Sequence, residues 1–144
     1  MADLSQYKKS DLLKRFLALL IDYILASVVA VIPFIGWLIG GAYMLFRDGF
    51  DFDFMKHRSF GKQIMKLKVV SLEGENTPID LKISTQRNWL LALPLVITII
   101  PIAGVILYFP IALVVYLVEG IKVVNDASGR RYGDEFAKTI VIEE

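Results

Sequence analysis

The feature that most constrains this chain is a long apolar segment, residues 16–46, in which Asp22 is the only charged residue. Long stretches of apolar residues with few or no charges are typical of membrane-spanning helices. A carboxylate inside such a stretch is costly unless it is protonated, paired or in contact with water, so it indicates a functional or paired group. We therefore predict an integral membrane protein with one intramembrane acid.

A second apolar segment, residues 88–118, contains no charged residue. Both segments are interrupted by the same pattern, Ile-Pro-x-x-Gly, which begins at Ile32 and at Ile100. Proline removes a backbone donor and glycine permits a reversal, so each pattern predicts a tight turn. Each segment is too long for one straight span and barely long enough for two. One long, tilted, proline-kinked helix per segment is the alternative.

The positions of the basic residues favour two helices per segment. All 16 Lys and Arg residues lie in residues 1–15, 47–87 or 122–138, and none lies near either Ile-Pro-x-x-Gly turn. With four spans these three basic parts share one side of the membrane, and the positive-inside rule makes that side cytoplasmic. We expect a multi-pass protein of the inner (plasma) membrane with both termini in the cytoplasm.

The predicted fold is an all-α membrane domain over residues 1–144, with four short transmembrane helices arranged as two hairpins. A small cytoplasmic β ribbon and an interfacial helix complete it. The parts in chain order are a helical hairpin at 12–47, a cytoplasmic linker at 48–86, a helical hairpin at 87–121 and a cytoplasmic C-terminal segment at 122–144.

Asp22 belongs to a stripe of small residues spaced four apart, Ala18, Asp22, Ala26 and Ala30. Such a stripe lies on one helix face and lets another helix approach closely. Asp22 is therefore predicted to face a helix–helix interface. Two interpretations stay open, a polar clasp that holds the bundle together and a pathway for ions or protons.

The linker and the C-terminal segment carry the remaining structural signals. Residues 59–67 predict an amphipathic helix on an anionic leaflet, with Lys62 on the polar face together with Lys66. Residues 68–72 and 138–142 are rich in β-branched side chains, so we expect them to pair as strands. A Gly36/Gly40 pattern predicts close helix packing, more often within the chain than between chains.

Composition excludes several kinds of chemistry. The chain has no Cys, a single His and a net charge of +1, which argue against thiolate sites, multi-histidine metal sites and nucleic acid. Asp48, Asp51 and Asp53 could form a hard-cation site, but an exposed loop is favoured. His57 is expected in an exposed loop and Glu119 at the solvated interface. Since no nucleophile–base–orienter set is visible, we expect no enzyme, no cofactor and no metal.

The order and spacing of several elements resemble the RDD family of small membrane proteins over nearly the whole chain. The family takes its name from one Arg and two Asp, which map onto Arg15, Asp22 and Asp134. One departure is Gly133, where many relatives have His. The matching elements are Arg15, Asp22, residues 59–62 leading to residues 67–70, Arg87-Asn88, and residues 134–141.

The resemblance implies transport, with cation/proton exchange in some members. The first functional hypothesis is therefore transport of ions or small solutes. In it Asp22 binds the proton or cation, and Arg15 tunes the pKa of Asp22. Arg87 and Lys62 are secondary residues. The alternative is a non-catalytic accessory or scaffold subunit of a larger membrane complex. Expected partners are a bilayer with an anionic cytoplasmic leaflet and a second copy or another membrane protein. Arg15, Asp22 and Asp134 are predicted to form one polar cluster.

Overall fold

A computed structural model describes residues 7, 9–33, 35–74, 77–100 and 102–144 of the chain. Within these residues the chain forms helices and one two-stranded sheet. In chain order the elements are α1 Leu12–Ala30, α2 Gly36–Phe46, α3 Phe60–Ile64, β1 Leu67–Ser71, α4 Leu81–Ile97, α5 Ala103–Asn125, α6 Tyr132–Phe136 and β2 Thr139–Glu143.

Helices α1 and α2 pack closely because α2 presents glycine to α1. Asp11 caps α1, and its side chain accepts hydrogen bonds from the first turn. A Cβ atom at Gly40 would lie 2.8 Å from the carbonyl oxygen of Ala26, and one at Gly36 would overlap the backbone of Val29. The Gly36/Gly40 pattern therefore serves packing within the chain.

Helix α4 contacts α2 and α5 and carries a buried polar face. Asp80 caps it, with its side chain accepting from the Ile83 backbone N–H at 2.7 Å. Ser84, Arg87 and Asn88 are fully buried on its first half. These positions lie three and four apart, so they share one helix face, and that face is turned toward the centre of the molecule.

The two strands form an antiparallel ribbon. Val69 lies opposite Val141 and Val70 opposite Ile140, which confirms the predicted pairing of the linker with the C-terminal segment. The ribbon buries one apolar face against the start of α1, since Val69 and Val141 pack in a core with Ala18, Leu67 and Ile79. This core attaches the C-terminal segment to the first helix.

The prediction of four transmembrane helices is wrong. Among the described residues only α5 is long and apolar enough to cross a membrane, with 23 residues and a mean hydropathy of 2.1 over its most apolar 18-residue window. Each apolar segment is divided unequally, into α1 with 19 residues and α2 with 11, and into α4 with 17 and α5 with 23. Helix α1 carries Lys14, Arg15 and Asp22, and the first half of α4 is polar, whereas a span needs about 20 predominantly apolar residues.

The predicted interfacial helix is also wrong in extent and orientation. Only Phe60–Ile64 is helical, and Leu67 belongs to β1, where it is fully buried. Gly61 lies directly on α1, since a Cβ there would overlap the carbonyl oxygen of Ala18. This close approach turns Lys62 into the molecule, where it is 8% exposed.

Some predicted turn residues lie outside the described residues. They are Phe34 and Pro101 in the two Ile-Pro-x-x-Gly turns, and Glu75 and Asn76 after β1.

Large apolar side chains cover the outside of α1 and α5. On α1, Phe16 and Val28 are 61% and 65% exposed, and on α5, Ile106 and Phe109 are 68% and 78% exposed. Only 22% of the most apolar part of α5 is buried within the chain. A core helix of a soluble protein is mostly buried, so within the described residues α5 is not packed as a core helix.

Candidate functional site

Nine ionisable side chains meet where α1, α2, α3, α4, α5 and α6 converge. Five are basic and four are acidic, so their formal charge is +1, and all are buried apart from slight exposure of Arg15. We call them the buried charge network. Its members are Arg15, Arg47, Lys62, Arg87, Arg131, Asp22, Asp48, Asp134 and Glu119.

Asp22 is held by three donors. The Arg47 guanidinium donates to one carboxylate oxygen at 2.9 Å, while the Tyr43 hydroxyl and the Gly61 backbone N–H donate to the other at 2.9 and 2.7 Å. The side chain is 1% exposed. The stripe of small residues places Asp22 in the helix interface, and the residues at the end of α2 and the start of α3 satisfy its charge.

Asp48 lies at the centre of the network and not in an exposed loop, so that prediction is wrong. Lys62 donates to it at 2.5 Å, Arg87 at 3.2 Å and the Asn88 amide at 3.1 Å. Burial alone would raise the pKa of Asp48, but the Lys62 ammonium and the Arg87 guanidinium outweigh burial and hold it well below its usual range. Burial lowers the pKa of Lys62 to about 7, and the carboxylate opposes that shift. Asp48 is therefore a structural anion.

The other members of the predicted acidic loop do not join Asp48. Asp51 and Asp53 are exposed. His57 is half-buried and not in a fully exposed loop, with its Nδ1 3.0 Å from the Ile79 carbonyl oxygen and its Nε2 3.3 Å from Asp51. Within the described part of the chain, no group of three or more His, Asp or Glu side chains could hold a metal ion.

The Asp134 carboxylate accepts hydrogen bonds from three guanidinium groups. Arg87 donates to it from NH2 at 2.7 Å, Arg131 from Nε at 3.0 Å and Arg15 from NH2 at 2.7 Å. Burial would raise the pKa of Asp134, but the three Arg side chains lower it well below its usual range. The structure thus places Arg15 and Asp134 in direct contact.

The Asn88 amide, and not Arg15, connects Asp22 with Asp134. The side-chain oxygen of Asn88 accepts from Arg131 at 2.7 Å and from Arg47 at 3.4 Å. Since Arg47 pairs with Asp22 and Arg131 with Asp134, the amide joins the two ion pairs. Arg15, Asp22 and Asp134 belong to one network, and the ion-pair partner of Asp22 is Arg47.

Glu119 is buried and not solvated, so that prediction is wrong. Its carboxylate accepts backbone N–H groups of Tyr132 at 3.0 Å and Gly133 at 3.4 Å. A Cβ atom at Gly133 would overlap the carbonyl oxygen of Arg87. The absence of a side chain at position 133 therefore permits α6 to lie against α4 and beside the end of α5.

Sequence reasoning missed Arg47, Arg131 and Asn88 as members of the site. A signal for Arg47 was present in the hairpin itself. Asp22 and Arg47 lie at roughly equal distances along the chain from the Ile-Pro-x-x-Gly turn, and an antiparallel hairpin brings such residues together. Asn88 was singled out only as part of the Arg-Asn pair, without a role.

A groove of about 620 Å³ lies between α1 and α5, and the buried charge network forms its floor. We call it the α1–α5 groove. Tyr23 and Tyr116 meet edge to face across it at 5.4 Å, and both hydroxyls donate to the Leu91 carbonyl oxygen at 3.1 and 3.3 Å. Phe16 and Leu20 on α1 and Tyr108 and Gly120 on α5 contribute to its walls.

Comparison with protein-family models, curated proteins and solved structures gives no match for this chain. The resemblance to the RDD family therefore stays a prediction.

Proposed function

We propose that this protein is a non-catalytic membrane protein that serves as an accessory or scaffold subunit. In this proposal the buried charge network fixes apolar helices to a polar base made of the ribbon, α3 and α6. The observation that carries it is the environment of Asp22, where three donors at 2.7–2.9 Å hold both carboxylate oxygens. Such an arrangement stabilises one position of the helices.

Membrane embedding is supported by the large apolar side chains that α1 and α5 expose, among them Phe16, Val28, Ile106 and Phe109, because contiguous exposed apolar surface is typical of protein or membrane contact. All 16 Lys and Arg residues lie in residues 1–15, 47–87 and 122–138, away from both Ile-Pro-x-x-Gly turns, and this asymmetry supports a cytoplasmic position in the inner membrane for the end of the molecule opposite the turns. Carbonate extraction tests this part. We expect the protein to stay in the membrane pellet at alkaline pH and to leave it in detergent; release by carbonate alone would contradict embedding.

The second candidate is transport of ions or small solutes, and one observation favours it. Asp22, although nearly inaccessible, contributes to the lining of the α1–α5 groove. A carrier carboxylate must bind and release its ion, which for Asp22 requires the Arg47 pair to open in each cycle. Opening a buried pair leaves an uncompensated charge, so the accessory role is the better-supported proposal.

Flux measurements in proteoliposomes separate the two candidates. The wild-type protein is reconstituted with dyes for protons and for monovalent cations and compared with empty liposomes. The accessory role predicts no flux above the leak, and a lower thermal stability of Asp22→Asn in detergent. Asp53→Asn is the matched control, since the same change is made at an exposed acid. Flux that Asp22→Asn abolishes and Asp53→Asn preserves would establish transport instead.

A further inference from the structure

We propose that the α1–α5 groove binds one anionic membrane lipid, with its acyl chain between the two helices and its head group on the buried charge network. The proposal goes beyond an accessory role, because it assigns a ligand and a site.

The dimensions and walls of the groove suit a lipid chain. Its volume of about 620 Å³ falls within the range of roughly 300–1,000 Å³ that is typical of small-molecule sites. Phe16 and Val124 line it and are also 61% and 60% exposed. The groove is therefore continuous with the outer apolar surface, so a lipid could enter from the bilayer.

The floor selects for negative charge. The groove is lined by five basic side chains, those of Arg15, Arg47, Lys62, Arg87 and Arg131, and by only two acidic ones, those of Asp22 and Glu119. Asp48 and Asp134, which belong to the network but do not line the groove, reduce the excess of positive charge. The whole network still keeps a formal charge of +1. An anion at this floor would complete the neutralisation of a buried cluster, whereas a zwitterionic head group would bring its own cation.

A second observation is an unused donor in the floor. Arg47 is 2% exposed and lines the groove, yet its Nε is buried without a hydrogen-bond partner among the described residues. Buried N–H groups are nearly always paired, so this N–H is a donor that an acceptor bound in the groove would satisfy. A phosphate oxygen is a strong acceptor for a guanidinium.

A larger side chain at Gly120 would block the groove. It lines the groove on α5, and a Cβ atom there would meet no other atom within 4 Å. Gly120→Phe therefore places a large side chain at the groove without replacing any charged residue, and Gly120→Leu places a smaller one there. Replacing a helical Gly also favours the helix, so we expect both variants to remain folded. Ile121→Phe is the matched control, because Ile121 is 59% exposed and does not line the groove.

The test is native mass spectrometry of the full chain in detergent, titrated with phosphatidylglycerol or with phosphatidylcholine that has the same acyl chains. We expect a single phosphatidylglycerol adduct with an affinity about tenfold above that for phosphatidylcholine. Both Gly120 variants should lose the adduct at unchanged or higher thermal stability, and Ile121→Phe should keep it. Soluble glycerol phosphate, which has the head group without the chains, should not compete.

Several results would overturn the proposal. Equal binding of the two lipids would remove the role of charge, and an adduct that persists in Gly120→Phe and Gly120→Leu would place the lipid elsewhere. Full competition by glycerol phosphate would indicate a free-phosphate site. A Gly120→Phe variant that loses a dimer and keeps its lipid would assign the groove to a second copy of the chain.

Discussion

Arg87 should be the most sensitive residue of the buried charge network. It is fully buried and joins two acids, donating to Asp134 from NH2 at 2.7 Å and from Nε at 3.2 Å, and to Asp48 from NH1 at 3.2 Å. Arg87→Met keeps most of the side-chain volume and removes the charge. Two buried carboxylates then lose a partner at once.

The size of the effect follows from what remains around each acid. Removing one partner of a buried ion pair typically costs about 3–5 kcal/mol. Asp48 keeps Lys62, and Asp134 keeps Arg15 and Arg131, so we expect the lower end, about 3 kcal/mol of unfolding free energy. For a chain of this size, each kcal/mol lowers the melting temperature by about 2–4 °C, which gives about 6–12 °C.

Thermal unfolding in detergent at one scan rate measures this difference. Arg87→Lys keeps the charge but cannot reach both acids with a planar fork, so it should melt between wild type and Arg87→Met. Lys82→Met is the matched control on the exposed side of the same helix and should melt with wild type. The reasoning is refuted if Arg87→Met melts at the wild-type temperature or no lower than Lys82→Met.

Three further predictions concern the same region. Arg15→Ala should lower the unfolding free energy by about 1–3 kcal/mol, less than Arg87→Met, because Asp134 keeps two other Arg partners; an unchanged melting temperature would show that the Arg15 contact contributes nothing. Folding lowers the pKa of Asp134 from 3.8, so the contribution of this carboxylate to stability is complete above about pH 4 and is lost as pH falls further. Between pH 6 and pH 3 the melting temperature should therefore decrease less for Asp134→Asn than for wild type. An equal decrease in both proteins would contradict this. Gly61→Ala should destabilise, because its Cβ overlaps the Ala18 carbonyl, whereas Gly120→Ala should be neutral or stabilising by up to about 1 kcal/mol; equal melting temperatures would refute the close approach of α3 to α1.

Local patterns in the sequence predicted several features of the fold. The strands pair as expected, since two β-rich segments that are marginal alone need each other in water. The small-residue stripe predicted the burial of Asp22, because a spacing of four fixes one helix face. The number of spans was not predictable from the length of the apolar segments. Each segment is divided into two helices of unequal length, and α1 includes charged residues.

The partners of the buried charges were decided only by the tertiary structure. The sequence determined that Asp22 must be compensated, since an unpaired charge cannot remain buried, but Arg15 and Arg47 were both available by composition. The hairpin register selected Arg47, and the approach of Gly61 to α1 turned Lys62 inward onto Asp48. The identity of an ion pair depends on distances between elements far apart in the chain, and these distances are set by backbone packing that no local pattern encodes.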